Sequence, residues 1–85
     1  MATRYIIARR GLDGMPVFAL TGKVIDNGPG KEPGYEVCGS VSSDFSYRRA
    51  KWYNSVKEIA LDPMTHHPHF WDQHRIFQIQ ELDNP

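Results

Sequence analysis

Apolar side chains recur along this chain with a period of two, then with a helical period, then with a period of two again. Thr3–Arg10 is short, rich in β-branched and aromatic residues, and halted by Gly11, which predicts a strand. Gly11-Leu12-Asp13-Gly14 follows, and Asp-Gly favours a tight turn because both residues tolerate positive φ. Val17, Phe18, Leu20, Val24 and Ile25 resume the apolar run within Pro16–Ile25, so a second strand antiparallel to the first is expected. Asp26–Gly34 is almost pure turn chemistry, and no regular element should cross it. That loop is expected to project and to exchange its amides quickly. Tyr35–Ser42 alternates Tyr35, Val37, Gly39 and Val41 with Glu36, Cys38, Ser40 and Ser42. Such alternation marks a strand buried on its valine face, with Cys38 pointing the other way.

The rhythm then changes. Phe45, Trp52, Val56 and Ile59 recur at helical spacings, with Tyr53 and Ala60 widening the stripe. Arg48, Lys51, Ser55, Glu58 and Asp62 fall opposite. Ser43 or Asp44 can cap this helix, and Pro63 ends it at Asp62. One further helical turn is expected after Pro68. Arg75–Leu82 returns to alternation, with Phe77 and Ile79 on one face and Gln78 and Gln80 on the other. The order is β-β-β-α-β. It predicts one small α+β domain over residues 1–85: a three-stranded antiparallel meander, one amphipathic helix packed on the sheet, and a C-terminal strand beside the first or the third.

Composition narrows the class. The chain has 85 residues, 40% hydrophobic and 24% charged, which is globular rather than disordered, with a modest core. A single cysteine, Cys38, excludes an internal disulfide, and a reducing cytoplasm is the expected location. The apolar run Tyr5–Ala8 is too short for a signal-peptide core or a membrane span, so no membrane partner is expected. Net charge is zero, but it is unevenly spread. Residues 1–57 hold nine basic side chains against five acidic ones, and residues 58–85 hold five acidic against Arg75 alone. A polyanionic mimic of DNA would need a large negative excess and is excluded.

The chemically unusual residues cluster in Met64–Arg75, which carries all four histidines (His66, His67, His69, His74) with Phe70 and Trp71. Imidazoles bind metals, yet Cys-x-x-Cys and His-Glu-x-x-His spacings are both missing, and solvated loop histidines are the plainer reading. No cofactor is expected. Catalysis is not expected either. Cys38 is a lone strand cysteine without a neighbouring base, and Gly28-Pro29-Gly30 lacks the Gly-Lys-Ser/Thr of a phosphate loop.

Two binding readings remain. Arg48, Arg49 and Lys51 lie beside Trp52 and Tyr53, and with Arg4, Arg9 and Arg10 they could hold nucleic acid by phosphate contact and base stacking. The plainer alternative is a solvated helix face. Met64, His66, His67, His69, Phe70, Trp71 and Arg75 instead offer the Met, aromatic and Arg content of a protein interface. There the plainer alternative is that Phe70 and Trp71 plug the open end of the core. The sequence therefore leads to a small non-enzymatic protein-binding module, an accessory or inhibitor protein of the phage or mobile-element kind. The alternative is a nucleic-acid-binding module.

Overall fold

A computed structural model describes residues 2–38 and 49–81 of the chain. Strand β1 (Ala2–Arg10) pairs antiparallel with β5 (Arg75–Glu81), from Ala2 opposite Glu81 to Ala8 opposite Arg75. At its other end β1 pairs with the two-residue β2 (Pro16–Val17), Arg9 opposite Val17. The expected turn joins them: Gly11 N–H donates to the Met15 carbonyl (2.8 Å), and Met15 N–H to the Asp13 carboxylate (3.0 Å).

Phe18 then stands at φ +53°, a left-handed conformation that bends the chain out of this sheet. Beyond it β3 (Ala19–Ile25) pairs with β4 (Gly34–Cys38), Ala19 opposite Cys38 and Ile25 opposite Gly34. The described strands therefore form two antiparallel sheets, β2-β1-β5 and β3-β4, and not a three-stranded meander. The corner at Phe18 is the reason. The last strand lies beside the first, one of its two expected places.

β1 is buried on both faces, with Ile6, Ile7 and Ala8 all solvent-free. Ile7 joins Leu20, Tyr53, Ile59, Met64 and Phe70 in one core cluster. Ile6 and Ala8 join Ala19, Cys38 and Ala50 in another, against which Trp52, Phe77 and Ile79 pack. A centrally placed strand with no wet face needs consecutive apolar residues rather than alternation, as Tyr5–Ala8 supplies.

The helix is far shorter than the stripe predicts. α1 is Val56–Leu61, and the proposed caps Ser43 and Asp44, with Phe45, lie outside the described residues. Lys51–Tyr53 is extended and stitched between two strands: Lys51 N–H donates to Leu20 O (2.9 Å), and Tyr53 exchanges both backbone bonds with Tyr5 (2.8 and 2.9 Å). Extended backbone sends Tyr53 into one cluster and Trp52 towards the other, so Trp52, Val56 and Ile59 share no helix face. Val56 is in fact exposed. The true start is Ser55-Val56-Lys57-Glu58. Ser55 Oγ accepts from Glu58 N–H (3.2 Å), and the Glu58 carboxylate accepts from Asn54 N–H (2.7 Å).

β4 also differs. Val37 is exposed and Cys38 is buried, the reverse of the expected facing, because the pocket made by Ile6, Ala8 and Ala19 takes Cys38. Residues 26–33 form no ladder, as expected, but they carry local bonds: Gly28 N–H to Asp26 (2.9 Å) and Lys31 N–H to Gly28 O (3.2 Å). After α1, Asp62 leads into a 3-10 turn (Pro63–His66), followed by α2 (Phe70–Gln73). The fold is small and α+β, with two short helices. Among the described residues, no helix is long and apolar enough to cross a membrane.

Candidate functional site

The histidine segment is built as two tight turns, and each imidazole has separate work. His66 Nε2–H donates to Ala60 O (2.6 Å), and His69 Nδ1–H donates to the Asp72 carboxylate (2.9 Å). His67 Nδ1 is in hydrogen-bond contact with the Tyr35 hydroxyl (3.0 Å). His74 Nδ1 lies 2.7 Å from Phe70 O, and since a carbonyl only accepts, this nitrogen carries the proton. Among the described residues, no three His, Cys, Asp or Glu side chains come together in a way that would hold a metal ion.

His69 takes a left-handed conformation (φ +64°) just before α2. The turn that follows directs Phe70 inward and Trp71 outward, since adjacent helical residues point about 100° apart. Phe70 is 2% exposed and Trp71 39%. Both cannot be core, and the structure chooses Phe70. Around it the rings pack closely. His74 stacks on Phe70 (4.6 Å between centroids), Tyr35 meets Phe70 edge-on (5.2 Å), and Trp71 stands edge-on to it (4.9 Å). Trp71 is thus an exposed ring held on a buried aromatic base. His74 is only 4% exposed, and burial pushes its pKa down, against the pull of the Phe70 carbonyl and with help from Arg9 and Arg75.

Three hollows meet at this surface. One, about 420 Å³, is lined by Trp71, His74, Arg75 and Ile76. A second, about 280 Å³, shares Trp71 and Ile76 and adds Val56, Ile59, Ala60 and His66. A third, about 400 Å³, shares Arg75 and adds Arg9, Arg10, Asp72 and Gln73. Ile76 is 37% exposed and Val56 is exposed too, so the tract is apolar at its centre and basic at one end. Arg75 joins the two parts. Its Nη1 donates to Trp71 O and to His74 O, the latter at 2.7 Å, which holds the guanidinium in place.

Of the seven residues singled out for a protein interface, His66, Trp71 and Arg75 line this tract. Phe70 lies beneath it. Met64 is 4% exposed and belongs to the core, His67 is turned to Tyr35, and His69 sits beside the tract on Asp72. The basic residues divide differently. Arg49 reaches Glu36 (3.4 Å), Lys51 pairs with Asp62 (2.8 Å), and Arg4 lies over the Trp52 ring (4.2 Å). Arg48 is outside the described residues. Arg9 and Arg10 gather with Arg75 instead. Cys38 is buried, and that burial pushes its thiol pKa up, outweighing the opposing pull of Arg49.

Sequence reasoning missed Ile76, Val56 and Tyr35. Ile76 did carry a signal, as an apolar residue on the face opposite Phe77 and Ile79. Tyr35 carried none, because only the tertiary fold brings β4 to α2. A second exposed apolar group, Val24, Ile25 and Val37, lies on the β3-β4 hairpin beside the Lys23–Glu36 pair (4.0 Å). Comparison with protein-family models, with curated proteins and with solved structures found no match.

Proposed function

We propose that this chain is a non-catalytic module that binds another protein through the surface centred on Trp71 and Ile76, acting by occupying the partner's own surface. The carrying observation is Trp71 itself: a large ring, 39% exposed, standing on the buried Phe70 and His74, against which the half-buried Tyr35 packs, between two apolar hollows. Interface energy concentrates in such aromatic anchors when they are held rigidly and ringed by groups that exclude water. A merely structural ring would be buried like Phe70.

The test is a pair of variants. Trp71→Ala should cost about 1–2 kcal/mol, as a partly exposed truncation, and should abolish co-purification of a protein partner from the native host. Phe70→Ala should cost about 3–5 kcal/mol, because it empties the core. Nuclease treatment should leave the capture unchanged. If Trp71→Ala unfolds the protein, or if capture survives the substitution or is lost to nuclease, the reading is wrong.

A further inference from the structure

We infer that the segment docking on this surface is acidic beside its apolar anchor, with its carboxylates entering the arginine hollow while a large aliphatic or aromatic side chain lies against Trp71 and Ile76. The inference rests on the protein-binding reading above and adds the chemistry of the partner.

Three arginines, Arg9, Arg10 and Arg75, are among the residues lining a hollow of about 400 Å³ whose one acidic residue, Asp72, already accepts from His69. Among the described residues, Arg9 and Arg10 meet no acidic partner; the ion pairs there use Lys23, Arg49, Lys51 and His69. Arg75 spends its Nη1 on two carbonyls, which leaves the Nε and Nη2 edge for a ligand. A carboxylate is matched to such an edge, since two parallel N–H···O bonds form at once. The hollow adjoins the Trp71–Ile76 hollow through Arg75, so one short segment can fill both.

The same features speak against a nucleic acid as occupant. A backbone of phosphates needs a run of available cations, whereas Arg49 and Lys51 are engaged by Glu36 and Asp62, and Arg4 by Trp52. The far hollow, where Val56, Ile59, Ala60 and Ile76 accompany Trp71 and His66, is largely apolar and suits an aliphatic or aromatic side chain.

A random peptide display library panned on the full chain tests this directly, with a single-stranded DNA oligonucleotide assayed in parallel. Enriched peptides should pair Asp or Glu with a neighbouring Leu, Ile, Phe or Trp. A synthetic copy of one should bind the Arg9→Ala/Arg10→Ala double variant about tenfold more weakly, with binding that weakens as salt is raised. The melting temperature of that variant should be unchanged, because both side chains are exposed. Trp71→Ala should abolish the same binding. Enriched peptides without acidic residues, or binding indifferent to the double variant, would overturn the acidic partner and leave the protein-binding surface standing. A library that yields no binder, or an oligonucleotide that binds through Arg9 and Arg10, would overturn both.

Discussion

Asp62 ties together three parts of the fold through one carboxylate. Its carboxylate accepts from Lys51 Nζ (2.8 Å), from the Tyr53 hydroxyl (2.6 Å) and from Met64 N–H (3.0 Å), so it ends α1, opens the 3-10 turn and satisfies a buried phenol. Burial alone would raise its pKa, but the three donors together hold it below the ordinary value of 3.8. Asp62→Ala should cost about 1 kcal/mol for the lost cap and about 1–3 kcal/mol for the orphaned Tyr53 hydroxyl, readable by denaturant unfolding. His74 sets the response to mild acid. Its pKa is depressed from 6.5, so the unfolded chain takes up a proton that the folded chain refuses. Stability is therefore full above 6.5 and falls as pH drops below it. The Asp62 contribution is present above 3.8 and is lost only at lower pH, as the folded carboxyl finally protonates. Thermal melts across pH should show this two-stage decline, and His74→Gln should flatten the first stage alone.

At the level of elements, Gly22 accommodates the irregularity within the β3-β4 sheet and the close passage of Lys51. It sits at φ +93° where the β3-β4 register shifts between Leu20 and Val24, and a Cβ there would lie 2.7 Å from Lys51 Cδ. Gly22→Ala should cost about 1–2 kcal/mol from backbone conformation alone, and more because Lys51 must move off Asp62. In a Lys51→Ala background the second part should vanish while the first remains, which a double-mutant cycle separates. Legibility in the sequence followed the same division between local and distant causes. The strands within Thr3–Arg10 and Arg75–Leu82 were legible because turn residues bound them, and Pro63 marked the true helix end. Pro16–Ile25 was legible only as extended chain, since Phe18 divides it between the two sheets. The long helix was misread because Trp52 and Tyr53 fit an apolar stripe, although the Ser55–Glu58 capping pair marked the start. What the sequence lacked was the Tyr5–Tyr53 bridge, a contact between distant segments that no local pattern announces. Trp71 and Arg75 stood out in the sequence as candidate site residues; their assembly with Arg9, Arg10 and Ile76 did not, since it needs β1 and β5 side by side.

At the scale of the whole molecule, β1 lies opposite β5, so among the described strands the first is completed by the last. Roughly 65 residues separate them, about 3–13 s of synthesis at 5–20 residues per second. During that time Ile6, Ile7 and Ala8 lack the neighbour that later covers them, and closure of such a distant pair is the slow, entropically costly part of folding. The proposed binding surface inherits this timing. Trp71, Arg75 and Ile76 emerge late, and they face Arg9 and Arg10 only once β5 has docked. A partner of the proposed kind, reading arginine and tryptophan together, is thus blind to chains in which β5 has not yet docked on β1. On the proposed reading, recognition doubles as a check that β1 and β5 have joined.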